Sequence, residues 1–147
     1  MNLREYFDKD DIIIENKRRT KKEVLKYLTE LASNKHNLDK DYLFNKILER
    51  ERKLTTGIGG GLAVPHARLS NINKCHLIIL INKKGIDFEA MDDNKVNVVV
   101  LILSPKNKVK NHIALLSKVS YLLTEENNID HILKTNSTEE IVKKLNS

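Results

Sequence analysis

Residues 75–103 read CHLIILINKKGIDFEAMDDNKVNVVVLIL and contain the two clearest strand predictions of the chain, at 75–82 and 96–103. The apolar runs 77–81 and 98–103 are continuous rather than alternating, so both faces of each strand are expected to be covered. Predicted helices precede and follow these strands, so the expected fold class is α/β, a three-layer α/β/α sandwich with helices on both faces of the sheet. A meander from the first strand to the second brings antiparallel pairing, which predicts a mixed parallel and antiparallel central sheet.

The flanking sequence predicts helices that begin at recognisable caps. Thr20 and Glu23 form a capping-box pattern that starts a helix ending near residue 33, and Asp39 starts a second helix ending near residue 53. After Pro105 ends the second long strand, helical spacing of apolar residues predicts a helix over about 109–124. Further predicted elements are a strand at 11–15, a short strand at 62–64, a short strand or hairpin arm at 85–88, a short helix at about 129–133 and a last helix opened by a Ser137–Glu140 capping box.

The segment 56–68 reads TGIGGGLAVPHAR and holds four of the five glycines of the chain, with Pro65 directly before His66. Glycine lets backbone N–H groups approach a ligand without a Cβ in the way, and proline fixes φ. Together they predict a rigidly presented His66 beside a donor-rich backbone, which suits a histidine that reacts with an anion. The segment matches neither GxxxxGK[ST] nor GxGxxG, so no nucleotide-binding loop is predicted, and a simple turn is the alternative. The candidate phosphate-binding backbone groups are those of Gly59, Gly60 and Gly61.

Two more polar side chains fall on the inward faces of predicted helices. Arg50 lies three residues after Ile47 and shares its apolar stripe, and an inward guanidinium needs an anionic partner such as a phosphate. His112 continues the buried face that includes Leu115, near a helix N-terminus where anions are favoured. The alternatives are a solvated helix end for Arg50 and a histidine at the edge of the core for His112.

Composition and length are those of a globular protein. The chain has 147 residues, of which 40 % are hydrophobic and 31 % charged, which predicts one domain over residues 1–147. No apolar run is long enough to span a bilayer and the N-terminus lacks the apolar core of a signal peptide, so a cytoplasmic protein with no direct membrane insertion is expected. Cys75 is the single cysteine, which permits no internal disulfide, and it is expected in or near the core.

Charge and the remaining histidines give weaker signals. The formal net charge is +6, and the densest basic cluster lies at 17–22, without interleaved aromatic residues or a helix-turn-helix pattern. It is interpreted as a solvated basic surface that at most steers an acidic partner, so no nucleic-acid partner is predicted. His36 is expected to be solvated, and His76 and His131 to be structural. Since no HExxH, paired cysteines or His-x-His occurs, no metal site is predicted, and a metal-dependent hydrolase using His66 and His112 is the least supported alternative.

The segment TGIGGGLAVPHAR resembles the active-site signature of the type-2 EIIA domains of the bacterial sugar phosphotransferase system, the fructose–mannitol and nitrogen-regulatory group. Three further stretches carry the resemblance: Glu49-Arg50-Glu51, with Arg50 16 residues before His66, residues 85–92 (GIDFEAMD), and residues 111–116 (NHIALL), with His112 46 residues after His66. The resemblance covers essentially the whole chain. Leu62 and Val64 stand where isoleucine is usual in the family.

The resemblance implies that His66 accepts a phosphoryl group on Nε2 from the phosphocarrier HPr and passes it to a cysteine of an EIIB domain, and through it serves the membrane component EIIC. Arg50 is then expected to stabilise the phosphoryl charge and His112 to orient the group. No cofactor is implied, because HPr brings the activated phosphate. The fructose type is favoured, and the alternative is a nitrogen-related regulatory protein that is phosphorylated at the same histidine but acts by binding target proteins. Since no EIIB signature occurs, EIIB and EIIC are expected either on separate chains or in a part of the protein that this sequence lacks.

Overall fold

A six-stranded sheet forms the middle layer of the computed structural model, which describes residues 1–146. The strands are β1 (Ile12–Glu15), β2 (Gly57–Gly59), β3 (Leu62–Ala63), β4 (His66–Leu69), β5 (His76–Ile86) and β6 (Val96–Pro105). The helices are α1 (Lys21–His36), α2 (Lys40–Glu51), α3 (Val109–Thr124), α4 (Asn128–Lys134) and α5 (Thr138–Leu145), and short 3₁₀ helices lie at Leu3–Glu5 and Lys9–Asp11.

The sheet is mixed, as predicted. Its strand order is β1-β5-β6-β3-β2, and β4 also pairs with β6. β5 and β6 are antiparallel, whereas β1 on β5 and both β3 and β4 on β6 are parallel. The register sets Leu62 opposite Val98 and His66 opposite Ile102, so β3 and β4 follow one another along the same edge of β6.

Two separate apolar cores lie on the two faces of the sheet. On β6, Val98 and Val100 belong to one core and Val99 and Leu101 to the other, because successive side chains of a strand point to opposite faces. α1 and α2 cover the second core, while α3, α4 and α5 cover the first together with the N-terminal 3₁₀ helix. The predicted three-layer α/β/α sandwich is therefore confirmed, and the continuous apolar runs are its cause. Cys75 is 1 % exposed and lies in the first core, also as predicted.

Several predicted local features are confirmed and others differ. The Thr20–Glu23 capping box is complete, with bonds of 3.1 Å from the Glu23 N–H and 3.0 Å from the Thr20 N–H. At Ser137 only half of the predicted box forms, because the Ser137 N–H donates to Thr135 Oγ1 at 2.9 Å instead of to Glu140. The predicted arm at 85–88 is the far end of β5, which continues to Ile86 after a shift in register.

The basic cluster at 17–22 is only partly a solvated surface. Arg19 donates to the buried carboxylate of Glu15 at 2.8 Å and lies over the Tyr27 ring, and Lys21 pairs with buried Glu51 at 3.0 Å. A buried carboxylate needs a cation or donors to offset its lost hydration, so these two cations face inward. The predicted solvation holds for the exposed members Lys17, Arg18 and Lys22.

Candidate functional site

An open pocket of about 450 Å³ lies where β4 begins, beside the first turn of α3 and the last turn of α2. His66, His112 and Arg50 all line it, together with Arg68. Three distant parts of the chain meet here because β4 pairs with the end of β6, which leads directly into α3, and because α2 packs against β4. The structure thus brings together the three side chains that the sequence singled out separately.

The imidazole of His66 is held in one orientation and one tautomer. Its Nδ1 lies 2.9 Å from the carbonyl oxygen of Val64. A carbonyl can only accept a hydrogen bond, so Nδ1 carries the proton and Nε2 keeps its lone pair. The buried Pro65 between these two residues accepts from the Ile102 N–H at 3.0 Å through its carbonyl, which fixes the backbone that presents the ring. Nε2 is therefore the ring nitrogen of this side chain that can act as a nucleophile.

The environment also keeps His66 uncharged at neutral pH. Burial lowers its pKa from the ordinary value, and the nearby charge of Arg50 lowers it further, against the opposing effects of the Val64 carbonyl and of Glu51. Burial disfavours the charged form because it removes hydration. A neutral imidazole with a free Nε2 is the form that can attack an electrophile near pH 7.

His112 is the second imidazole of the pocket and is 6 % exposed. The two histidine rings are 5.0 Å apart between centroids and tilted by 60°. Nδ1 of His112 is hydrogen-bonded to Oγ of Ser104 at 2.7 Å, and Ser104 lies fully buried near the end of β6. With Nδ1 engaged in this way, Nε2 is the ring nitrogen that remains for a ligand.

Burial, the neighbouring His66 and the charge of Arg68 lower the pKa of His112 to about 4. Both imidazoles are thus neutral at pH 7, and the fixed positive charge of the pocket comes from its cationic side chains. The two kinds of side chain can therefore do different things. His66 can act as a nucleophile and His112 as a hydrogen-bond donor, while the guanidinium groups can attract an anion.

Arg50 lies in the last turn of α2 and is partly exposed. Its Nη1 donates to the carbonyl oxygen of Leu54 at 2.7 Å, which anchors the guanidinium at the mouth of the pocket. Within residues 1–146, no carboxylate comes within ion-pair distance of it. The remaining N–H groups of Arg50 are therefore available to an incoming anion.

The three candidate phosphate-binding glycines are not part of this pocket. The carbonyl of Gly61 accepts hydrogen bonds from the N–H groups of Asn97 and Val98 on β6. Val98 is four residues before Ile102, the residue of β6 that is paired with His66. Four residues of a strand span about 13 Å, too far for the glycines to touch a group bonded to His66. The predicted placement differs because residues 62–65 run extended along β6 and carry His66 away from the glycines.

The glycines build the hairpin between β2 and β3 instead. Gly59, Gly60 and Gly61 all have positive φ, a region that side chains with a Cβ adopt at a cost. The N–H of Gly60 donates to Asp92 Oδ2 at 2.9 Å, and this bond is the first cause of the lowered pKa of Asp92. The backbone donor that the sequence suggested for an anion is thus used within the chain.

The sequence prediction missed two residues: Arg68, which lines the pocket, and Ser104, which is hydrogen-bonded to His112. Arg68 lies two residues after His66, and alternate residues of a strand share a face, so the signal was present in the quoted segment. Its Nη2 donates to the Lys106 carbonyl at 2.9 Å. Ser104 gave no sequence signal, because nothing local shows that the residue below His112 comes from the end of a strand.

Two of the other histidines, His36 and His131, differ from their predicted roles, whereas His76 is structural as expected. His36, expected to be solvated, is half-buried and stacks on His76 with ring centroids 3.7 Å apart, because α1 extends to the residue that contacts the start of β5. His131, expected to be structural, is exposed, with its Nδ1 3.3 Å from Nζ of Lys144. Across residues 1–146, no three His, Cys, Asp or Glu side chains are grouped so that they could hold a metal ion. In the same residues, no helix combines the length and the hydropathy needed to cross a membrane.

Several known proteins are similar to this chain in sequence or in fold. The family model described as "Phosphoenolpyruvate-dependent sugar phosphotransferase system, EIIA 2" matches residues 5–147. The chain is 31 % identical over 131 residues to the PTS system fructose-specific EIIA component of Haloferax volcanii. The aligned region covers 88 % of this chain and 85 % of that protein.

Two solved structures share the fold at lower identity. The nitrogen regulatory protein IIA-Ntr of Neisseria meningitidis aligns with a TM-score of 0.92 at 22 % identity, over 97 % of this chain and 98 % of that one. The enzyme IIA mannitol of Escherichia coli, solved in a complex with phosphorylated enzyme IIB mannitol, aligns with a TM-score of 0.81 at 22 % identity, over 95 % and 97 % of the two chains. Because the family model matches nearly the whole chain, the chain belongs to the type-2 EIIA family of the phosphoenolpyruvate-dependent sugar phosphotransferase system.

Proposed function

We propose that Nε2 of His66 accepts a phosphoryl group from the phosphocarrier HPr and donates it to a cysteine of an EIIB domain. The hydrogen bond from Nδ1 to the Val64 carbonyl carries this proposal, because it leaves Nε2 as the only ring nitrogen with a free lone pair. The lowered pKa of His66 keeps that lone pair available near pH 7. No metal or cofactor enters the proposal, since the donor already holds an activated phosphoryl group.

In the loading step, the lone pair of Nε2 attacks the phosphorus of phosphorylated HPr. The Nε2–P bond forms as the N–P bond of the donor breaks, and the electron pair of that bond returns to the donor imidazole. His66 keeps the proton on Nδ1, so its ring gains positive charge, which the Val64 carbonyl stabilises. In the second step, a thiolate of EIIB attacks the same phosphorus and the Nε2–P electron pair returns to His66.

Phosphoryl transfer depends mainly on positioning and on stabilising charge on the equatorial oxygens. Arg50 and Arg68 line the pocket, and their guanidinium groups are proposed to bind these oxygens. His112, neutral and tied to Ser104 through Nδ1, is proposed to donate from Nε2 to the phosphoryl group and so to fix its direction. The three residues act without a proton transfer.

The test is reconstitution with phosphoenolpyruvate, enzyme I and HPr. Wild type is expected to acquire an acid-labile, base-stable phosphoryl group, and His66→Ala to acquire none. His112→Ala is expected to be labelled more slowly, because it keeps the nucleophile but loses the donor. Labelling of His66→Ala at the wild-type rate would show that another residue accepts the phosphoryl group.

A fructose-type transport role is the proposed assignment within the family, supported by the similarity to the fructose-specific component of H. volcanii over 88 % of the chain. The second candidate is a regulatory protein of the nitrogen-related kind, favoured by 31 % identity to a nitrogen regulatory protein over 73 % of this chain. Transfer from phosphorylated protein to a panel of purified fructose- and mannitol-type EIIB domains separates them. Rapid dephosphorylation by one EIIB supports transport, whereas a stable phosphoprotein with every EIIB supports regulation.

A further inference from the structure

The carboxylate of Glu51 is buried behind the pocket that holds His66. Glu51 is the residue after Arg50 and ends α2, and its side chain is 5 % exposed. It does not line the His66 pocket, so it lies outside the space in which a phosphoryl group on Nε2 would sit. Its carboxylate instead contacts three donors, which come from Thr56 and Lys21.

Two of these donors belong to Thr56, five residues further along the chain. The Thr56 N–H donates to Oε2 of Glu51 at 2.7 Å, and the Thr56 hydroxyl donates to Oε1 at 2.6 Å. The ammonium group of Lys21, at the start of α1, lies 3.0 Å from Oε2 and supplies the opposite charge that a buried carboxylate needs. Glu51 therefore closes the turn of residues 52–55 between α2 and β2 and ties it to α1.

Main-chain hydrogen bonds continue from Thr56 to the imidazole of His66. The carbonyl of Thr56 accepts from the Val64 N–H at 3.0 Å, and the carbonyl of Val64 lies 2.9 Å from Nδ1 of His66. Thr56 and Val64 are thus each held at both the N–H and the C=O. A shift of Thr56 would move the acceptor that keeps the proton of His66 on Nδ1.

The turn that Glu51 closes also holds Arg50. The carbonyl of Leu54, which accepts from Nη1 of Arg50 at 2.7 Å, lies within this turn. The side chain of Leu54 is 57 % exposed, so its own packing does little to fix that carbonyl. The position of the carbonyl depends instead on how the turn is closed. Glu51 is therefore linked by short hydrogen bonds to the acceptors that orient both the imidazole and the guanidinium.

We propose that Glu51 is a positioning residue for phosphoryl transfer, acting on His66 and Arg50 through the turn that it closes. This proposal rests on the proposed phosphorylation of His66. Transfer requires aligned reacting atoms, and a displacement of about 1 Å can slow a reaction about a hundredfold. Loss of Glu51 should therefore slow the transfer step itself and leave the affinity for the donor unchanged.

The test compares Glu51→Gln with a matched control, Glu15→Gln. Both residues are 8 % exposed, and each carboxylate has one close cation, Lys21 at 3.0 Å from Glu51 and Arg19 at 2.8 Å from Glu15. Glu15 ends β1 opposite Asn82 and does not line the His66 pocket. Because both changes remove one buried charge and keep the size of the side chain, the pair separates a loss of stability from a loss of alignment.

Three measurements are made on wild type and on both variants. Single-turnover labelling at increasing concentrations of phosphorylated HPr gives the maximal rate and the half-saturating donor concentration, and phosphoramidate serves in parallel as a small donor. Proton–nitrogen NMR correlations of the histidine rings near pH 7 show which nitrogen of His66 carries the proton. Urea unfolding gives the stability of each protein.

In Glu51→Gln we expect the maximal rate to fall about tenfold, the half-saturating concentration of HPr to stay unchanged, and labelling by phosphoramidate to slow by a similar factor. The share of His66 rings with the proton on Nδ1 should also fall, because the Val64 carbonyl is less firmly held. Glu15→Gln should lose a similar amount of stability and keep the wild-type rates and tautomer.

Three results would overturn the proposal. If Glu51→Gln keeps the wild-type maximal rate and tautomer, the carboxylate acts only on stability. If Glu15→Gln slows labelling as much, loss of stability explains the effect. If only the half-saturating concentration of HPr rises while phosphoramidate labels Glu51→Gln normally, the residue acts on donor binding.

A second variant covers the case in which Glu51→Gln does not fold. Thr56→Val removes the 2.6 Å bond to Oε1 and keeps the charge of Glu51, so a reduced maximal rate supports the proposal and a wild-type rate overturns it. The proposed function is tested separately by wild type. If neither donor labels wild type, His66 is not a phosphorylation site, whereas normal labelling of wild type beside an insensitive Glu51→Gln refutes the role of Glu51 alone.

Discussion

Replacing His76 with phenylalanine should make the protein less sensitive to acid. His76 stacks on His36 with the ring centroids 3.7 Å apart, and burial, His36 and Lys74 lower its pKa to about 4. Burial also lowers the pKa of His36, with Lys35 and Lys74 acting in the same direction and Asp11 and Asp8 opposing. Phenylalanine keeps an aromatic ring in the stack but removes the titrating group.

The direction follows from proton binding in the two states. In the unfolded chain His76 titrates near 6.5, so below that pH the unfolded state binds more protons than the folded state. The stability that His76 contributes is therefore complete above pH 6.5 and is lost as the pH falls towards 4. At pH 5 the full loss would be about 2 kcal/mol, and partial exposure of the ring reduces the expected value to about 1 kcal/mol.

The assay is urea unfolding at pH 7 and pH 5 followed by far-UV circular dichroism, since the chain has no tryptophan to report by fluorescence. We expect the free energy of unfolding to fall less from pH 7 to pH 5 in His76→Phe than in wild type, by about 1 kcal/mol. His131→Phe, at an exposed position on α4, is the matched control and should keep the wild-type pH dependence. An equal fall in His76→Phe and wild type would refute the reasoning.

Three further predictions concern the site and the hairpin. Arg50→Ala should keep the wild-type unfolding free energy, because its side chain is partly exposed, and should slow labelling by HPr about a hundredfold; labelling at the wild-type rate would make it a surface charge. Ser104→Ala leaves Nδ1 of His112 without its buried partner, so urea unfolding should show a loss of about 1–3 kcal/mol and labelling should slow; an unchanged unfolding curve would contradict this. Gly60→Ala should lower the free energy of unfolding by about 1–2 kcal/mol in the same assay, because φ is +66° there, and Gly60→Asn should be less destabilised. His66 should be labelled at the wild-type rate in both variants. Loss of labelling in Gly60→Ala would show that the glycine is part of the site.

Local sequence patterns were sufficient for the layers of the fold. The runs at 77–81 and 98–103 have no polar face, so they had to be covered on both sides, and the structure places a core on each face. Helix starts were also readable, because Thr20 and Asp39 cap backbone N–H groups within three residues of themselves. Local chemistry decides such features, and so they can be read without the tertiary structure.

The candidate site was only partly readable. Arg50 and His112 could be placed on inward helix faces from their spacing, but their meeting with His66 depends on α2 and α3 packing at the same end of β6. The glycines were placed wrongly beside His66, although the predicted extended strand at 62–64 already separates them from it. The pairing of His36 with His76 was missed because residues forty apart in the sequence carry no local sign that their rings stack.

The sequence by itself determined a doubly covered mixed sheet, the starts of its helices and a histidine held after a proline. Only the tertiary structure decided which polar groups share that histidine's pocket, that the hairpin glycines lie about 13 Å along β6 from it, and that Ser104 orients the second imidazole. The physical reason is the separation along the chain between the residues that interact. Periodicity and capping are set by neighbours within a turn or two of chain, whereas the pocket is set by the register of β4 on β6 and by helix packing, which fix contacts between residues far apart in sequence.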